Sequence, residues 1–254
     1  MRGVLRTEPL WVETFTGLRM TQFERLLKVV RERGGDGPRT AVVSAACRPG
    51  AGGRGLLPHE PHHATARAAV RGLAGDGVQG HPAARPLLAI APLSRPADAA
   101  DQLWIADGTL VPVRDRTVGA LSRNYRFSAN VQVIIDANTR LVVATARPAL
   151  GNKADAQVWR GSGLPQQCQG VTVLGDGAYI NTGLVVPHPK RPGRPLLAGE
   201  EADNKEHRRV RARVEHAIGR LKQYKILRDC RQHGDGLHHA VQAVAHMHNL
   251  ALTA

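Results

Sequence analysis

Three carboxylates stand where their type and spacing could do chemistry: Asp107 in Trp104-Ile105-Ala106-Asp107-Gly108, Asp176 in Leu174-Gly175-Asp176-Gly177-Ala178-Tyr179, and Glu215 inside a long helical stretch. Each aspartate closes a strand-like run and precedes glycine, which lets the backbone turn sharply and leaves the carboxylate at the strand's end rather than in the sheet. Oxygen donors of this kind suit hard divalent cations. Two Mg²⁺ or Mn²⁺ ions held about 3.5–4 Å apart by shared carboxylates would activate an attacking oxygen and stabilise the leaving one in phosphodiester chemistry.

On the long helix, Val210, Val214, Ala217 and Leu221 form an apolar stripe. Arg211, Glu215 and Lys222 fall within about 40° of one another on the neighbouring stripe. One face then packs while the other presents a carboxylate between two cations able to reach phosphate oxygens. Spacing alone favours a plainer reading, in which the three are a solvated face with ordinary pairing and both Asp-Gly pairs are turns.

The elements that must position these residues are legible to different degrees. A helix is expected over residues 16–33, with Thr21 as cap, Glu24 completing a capping box, and Phe23, Leu26, Leu27 and Val30 at helical spacing before Gly34 and Gly35 end it. Residues 40–85 contain no aromatic, lysine or asparagine and carry Gly-, Pro- and Arg-rich clusters, the composition of a linker or disordered insert. Strands are expected at 103–106, 130–135, 141–146 and 171–175, the middle two joined by a turn at Asp136-Ala137-Asn138-Thr139. A short helix follows Asn152, with Asp155 as its cap. The basic loop His188-Pro189-Lys190-Arg191-Pro192-Gly193-Arg194-Pro195 then leads to helices over 203–224 and 237–250. Strands first, with helices interposed and trailing, predict a mixed α/β fold, a sheet with flanking helices, organised as 1–39, 40–100 and 101–254.

Composition narrows the partner. Thirty-five Lys and Arg against 21 Asp and Glu give a formal charge of +14 and an isoelectric point near 10.9, and a polyanion gains affinity with every phosphate neutralised. Double-stranded DNA is the leading partner. No apolar run approaches a membrane span and the arginine-bearing start lacks a signal-peptide core, so a cytoplasmic, nucleoid-associated protein is expected. Cys47, Cys168 and Cys230 have no CxxC pairing and read as reduced thiols.

From 103 to 250 the sequence resembles the DDE-superfamily transposases of bacterial insertion sequences. The matching blocks are Ile105-Ala106-Asp107-Gly108-Thr109-Leu110-Val111-Pro112, Ser122-Arg123-Asn124-Tyr125, Asn130-Val131-Gln132-Val133, Gly151-Asn152-Lys153-Ala154-Asp155, Asp176-Gly177-Ala178-Tyr179 and Val210-Arg211-Ala212-Arg213-Val214-Glu215-His216. The resemblance implies an RNase H-like catalytic fold, Asp107, Asp176 and Glu215 as the metal-binding triad, and two divalent ions. It further implies transposon-end and target DNA as partners, and a homo-oligomer on DNA. Arg211 and Lys222 fit a family pattern of tyrosine, arginine, glutamate and lysine on the last catalytic helix, whereas the tyrosine position holds Arg208. Arg208, Arg211, Lys222, Lys190, Arg191 and Arg194 are the expected DNA-contacting cations. The competing class is a non-catalytic DNA-binding remnant that keeps the basic surface without turnover.

Weaker signals have plainer readings. His59-Glu60-Pro61-His62-His63 matches HExxH, yet Pro61 and the absent amphipathic flanks argue against a zinc protease. His238, His239, His246 and His248 read as packing or phosphate-facing groups rather than ligands, and Tyr125 and Arg126 are as compatible with packing as with DNA contact. Members of the resembled group carry a helix-turn-helix where 40–85 reads so poorly. Allowed codons for 59–82, shifted by one base, spell TSLTMRQLAPLFGVSPATVCRVI, of which LTMRQLAPLFGVSPATVCRVI is a good helix-turn-helix pattern, and 51–59 reads as RAVAVYYRT. Two compensating indels are therefore expected to have scrambled the end-recognition element and spared the catalytic residues.

Overall fold

A computed structural model describes residues 18–32, 101–122 and 127–253. The chain divides into two compact units, one of Ile90–His248 and a smaller one of Met1–Ala89 with Asn249–Ala254. The HExxH match, the 40–85 segment, Cys47, Tyr125 and Arg126 lie outside the described residues. Among those described, no helix is long and apolar enough to cross a membrane.

In the smaller unit, helix α1 (Met20–Glu32) buries Leu18, Gln22, Phe23 and Leu26 along one side. It begins at Met20, so Thr21 lies inside the helix rather than capping it. The first turn is closed by Gln22, whose Oε1 accepts from the Arg19 backbone N–H at 2.7 Å while its Nε2 donates to the Leu250 carbonyl at 2.8 Å.

The larger unit is built on five strands, β1 (Leu103–Pro112), β2 (Ser128–Asp136), β3 (Val142–Thr145), β4 (Ala149–Leu150) and β5 (Thr172–Leu174). The order is β3-β2-β1-β5, with β4 also paired to β2. β2 runs antiparallel to β1, β3 and β4, whereas β5 is parallel to β1. The β2–β3 turn forms at the expected residues because Asp136 Oδ1 accepts from Asn138 N, Thr139 N and Thr139 Oγ1 at 2.9, 2.6 and 2.8 Å. Arg140 takes a φ of 62° to complete it.

Alternate residues of a strand face opposite sides. Trp104 and Ala106 of β1, with Ile134 and Ala144, pack on Trp159 of α2 (Asp155–Gly161), Leu164 of α3 (Leu164–Gln167) and Tyr179 of a 3₁₀ turn (Gly177–Tyr179). Helix α4 (Ala198–Leu221) packs against β1 and β2, burying Val214, Ala217, Ile218 and Leu221. The Arg213 guanidinium donates to the Ala137 carbonyl and fixes α4 to the β2–β3 turn. Short α5 (Lys225–Arg228) and α6 (Gly236–Leu252) follow.

The mixed α/β sheet with flanking helices is thus the expected class, with corrected boundaries. β1 does not stop at Asp107 but runs on to Pro112, because β2 is long enough to pair with it from Trp104 to Pro112, Asp107 opposite Val133 and Gly108 opposite Gln132. Helix α4 starts at Ala198 rather than 203, its first turn closed by Glu200 Oε2 accepting from Leu197 N at 2.8 Å. It ends at Leu221, leaving Lys222 at the C-cap. The two-residue β4 was too short to carry a pattern.

Beyond Pro112 the chain is locked by Asp115, 9% exposed. Its carboxylate accepts from Thr117 Oγ1 at 2.7 Å, Gly234 N at 2.9 Å and Thr117 N at 2.9 Å. These bonds, with His233 adding a favourable charge, pull its pKa down to about 2. A lowered carboxylate pKa contributes stability above the unfolded value near 3.8, and that contribution is lost as pH falls through about 2. Asp115→Ala is expected to cost about 1–3 kcal/mol at pH 7 by leaving two backbone N–H groups unpaired. Urea denaturation measures the loss, which should shrink towards pH 2.

Candidate active site

Asp107 and Asp176 are brought together by parallel pairing. Ile105 pairs with Leu174, so each aspartate lies two residues further along the same direction on neighbouring segments of the sheet. β5 pairs with β1 only at Leu103, Trp104 and Ile105, which leaves β1 open on that side at Asp107. Asp176 Oδ1 accepts from Ala178 N at 2.9 Å and so caps the 3₁₀ turn.

Glu215 approaches from α4 by way of Arg211. The Arg211 side chain is 13% exposed and places Nη2 3.4 Å from Asp107 Oδ1 and Nη1 3.9 Å from Glu215 Oε1. Glu215 itself is 61% exposed. The structure therefore couples Asp107 with Asp176 and links Glu215 to them through a guanidinium. Among the described residues no three His, Cys, Asp or Glu side chains are grouped closely enough to hold one metal ion as they stand. Lys222 is half-buried near Asp107; burial lowers its pKa and the Asp107 charge partly opposes that.

Asp107 is pushed up to about 6, chiefly by burial. The Arg211 guanidinium and the Gly108 N–H, which donates to Asp107 Oδ1 at 3.0 Å, pull the other way, while the Asp176 and Asp155 carboxylates add to the rise. Asp107 thus carries a charge that its surroundings under-compensate.

Asp155 is not the helix cap that its position suggested. Ala154 holds the cap of α2 without a side-chain bond. Asp155 instead turns towards the sheet, where its Oδ1 accepts from Asn130 Nδ2 at 2.7 Å and its carbonyl accepts from Gln132 Nε2 at 2.8 Å. Gly108 makes this possible, since a Cβ there would lie 2.2 Å from Asp155 Oδ1. That glycine serves a close approach, not the sharp turn expected after Asp107. Tyr179 completes the neighbourhood, wholly buried and edge-on to Trp159 with ring centroids 6.0 Å apart. Its hydroxyl has no hydrogen-bond partner among the described residues. Burial, then the charges of Asp155, Asp107 and Asp176, hold its pKa far above the ordinary tyrosine range. Asn130 and Gln132, two amides at alternate positions in an otherwise apolar strand, were the available signal for this cluster.

The expected DNA-facing cations occupy distinct settings. Arg208 is exposed on α4, and Lys190 and Arg191 are exposed in the loop before it. Arg194 Nη2 lies 3.6 Å from Glu200 Oε1. The loop is tied to α4 by buried Asn204, which accepts from His188 N at 2.7 Å and donates to its carbonyl at 3.0 Å. The late histidines form no metal group among the described residues; the His238 and His239 rings lie 5.8 Å apart and His248 Nε2 sits 3.1 Å from the Arg140 carbonyl.

Residues 106–249, more than half of the chain, match the family model described as DDE superfamily endonuclease. A protein of Streptomyces albus G described as "Putative transposase for insertion sequence element IS112" is 42% identical over 267 aligned residues, covering 100% of each chain. No solved structure matches the chain. The matched span contains both coupled aspartates, the bridging arginine and the helical glutamate, and the chain belongs to the DDE-superfamily transposases of insertion sequences.

Proposed function

We propose that this chain is a metal-dependent DNA endonuclease and strand transferase, with Asp107, Asp176 and Glu215 holding two Mg²⁺ or Mn²⁺ ions and the ends of a DNA element and its target as substrates. The observation that carries this reading is the negative charge crowded about Asp107, where Asp176 and Asp155 oppose its ionisation and Arg211 offsets them incompletely. Such a set of hard oxygen donors fits a divalent cation. Bound there, the ions would acidify a water or a DNA 3′-hydroxyl for attack and neutralise charge on the phosphodiester oxygens.

The chain's own residues divide the remaining work. A contact as long as 3.9 Å, with Glu215 itself 61% exposed to water, holds that carboxylate by only about 1 kcal/mol, so its side chain can redirect towards the aspartates at little cost. Arg211 supplies counter-charge to Asp107, and its planar fork matches a phosphate. Lys222 presents a second cation beside Asp107. Arg208, Lys190, Arg191 and Arg194 extend positive surface for the DNA backbone, consistent with the net charge of +14.

The same reading assigns a catalytic domain to 101–254, a helical N-terminal region to 1–39 and a scrambled end-recognition segment to 40–100, in a protein that assembles as a homo-oligomer on DNA in the nucleoid-bearing cytoplasm. Specific end recognition is then impaired more than nicking. A gene whose shifted frame over 59–82 fails to encode a helix-turn-helix would remove the frame-shift element of the proposal.

Purified protein should nick supercoiled DNA with Mg²⁺ or Mn²⁺, and Asp107→Ala and Glu215→Ala should each lose at least about 100-fold. Equal activity in both variants would leave the non-catalytic DNA-binding remnant as the better account. A stability signature accompanies this. Because the Asp107 pKa is raised from 3.8 to about 6, the folded state holds that proton more tightly than the unfolded chain, and the Asp107 contribution becomes unfavourable as pH rises through that window. In chelator, the stability advantage of Asp107→Asn over the parent should grow between about pH 4 and pH 7, towards a limit of about 3 kcal/mol, and Mg²⁺ should shrink it. Thermal melts across that range measure the difference.

A further inference from the structure

Asp155 has no role in the triad, yet the fold makes specific room for it. Gly108, adjacent to Asp107 in β1, accommodates its carboxylate; an added Cβ would meet Oδ1 at 2.2 Å and Cγ at 2.7 Å. On β2, Gln132 opposite Gly108 and Asn130 opposite Leu110 hold the residue through its carbonyl and its Oδ1. Asn130 Nδ2 also reaches the Lys153 carbonyl at 3.3 Å. Both amides are almost fully buried, at 4% and 1% exposure.

None of these bonds requires a charge at Asp155, since an amide oxygen in the same place would also accept from Asn130. Asp155 nevertheless has no ion-pair partner among the described residues. Helix α2 has only seven residues, too short for its dipole to be a sufficient reason to keep a carboxylate there. A second, independent feature marks the spot as a ligand site: the wholly buried Tyr179 hydroxyl is unpartnered among the described residues and lies within electrostatic reach of Asp155, Asp107 and Asp176.

We propose that Asp155 is a positioning residue for the divalent-ion site, seating β1 at Gly108 beside Asp107 and adding the negative charge that retains the ion. This rests on the ion-binding reading of Asp107 and Asp176. Groups that surround first ligands in this way typically change metal affinity about 10- to 100-fold when altered. Asp155→Asn keeps the hydrogen bond and the cradle and removes only the charge, whereas Gly108→Ala keeps the charge and displaces the carboxylate.

The test is Mn²⁺ binding to the full chain by electron paramagnetic resonance, alongside thermal melts in chelator and nicking titrated with Mn²⁺. Asp155→Asn should bind Mn²⁺ at least about tenfold more weakly with its melting temperature preserved, and its nicking should need more Mn²⁺ to reach the parental plateau. Gly108→Ala should weaken Mn²⁺ binding in the same direction, and provides the readout should Asp155→Asn fold poorly. Parental Mn²⁺ affinity in Asp155→Asn, or in Gly108→Ala if only that variant folds, overturns the proposal. Asp107→Asn separates the two levels: if it too binds Mn²⁺ like the parent, the ion-site reading fails, and if it alone loses binding, only the role of Asp155 fails.

Discussion

Holding several carboxylates together against their mutual repulsion is the constraint on which the rest of this structure depends. Asp107 is 17% exposed, and an ionised carboxylate taken largely out of water, next to two others, is unfavourable unless a cation compensates. The fold supplies one guanidinium and one backbone N–H for the purpose, and they leave the pKa well above the ordinary carboxylate range. Such a residue does not pay its way as a stabilising element. It is retained against a folding cost, which is the usual physical mark of a functional group.

The scaffold meets that cost with rigidity. β2 is buried at every position but its last, and it pairs with β1 from Trp104 to Pro112, so the strand is held by β2 both before and after Asp107. β5 sets the level of Asp176 by parallel pairing just before β1 opens. Helix α4 is fixed at three places: Asn204 to the basic loop, Arg213 to the β2–β3 turn, and Val214, Ala217, Ile218 and Leu221 in the core. Arg211 and Glu215 therefore arrive from a rigid helix, and only the ends of their side chains are free to adjust.

Much of this was legible in the sequence, and the exceptions share a cause. Strands β2, β3 and β5 and the Asp136 turn follow from β-branched runs and local turn chemistry, and α4 and α6 from helical apolar spacing. The sequence singles out Asp107, Asp176, Glu215, Arg211 and Lys222 only as separate residues; no spacing rule says that Arg211 lies between Asp107 and Glu215. What sequence reasoning missed was long-range. The local Asp-Gly turn signal would end β1 at Asp107, and only its pairing with β2, where the opposite residue Val133 lies 26 positions on, overrides it. Asp155 read as a cap because Asp at a helix start usually is one, whereas its partners, Asn130 and Gly108, are 25 and 47 residues away.

Arg211 shows how the site can be both assembled and responsive. Its two contacts, at 3.4 and 3.9 Å, are longer than the 2.7–3.2 Å of well-formed N–H···O bonds, and its buried Nε has no partner among the described residues. The guanidinium is thus enclosed but loosely engaged. Losing one such contact costs little, particularly the one to exposed Glu215, whereas removing the guanidinium from Asp107 would leave only Lys222 to offset the repulsion from Asp176 and Asp155. A side chain in that position can give up its carboxylates only when other positive charge replaces it, and its fork is then available to a phosphate. Under the proposed ion-binding role of Asp107, Asp176 and Glu215, metal loading and engagement of the DNA backbone would be linked through this one arginine, without any movement of the sheet.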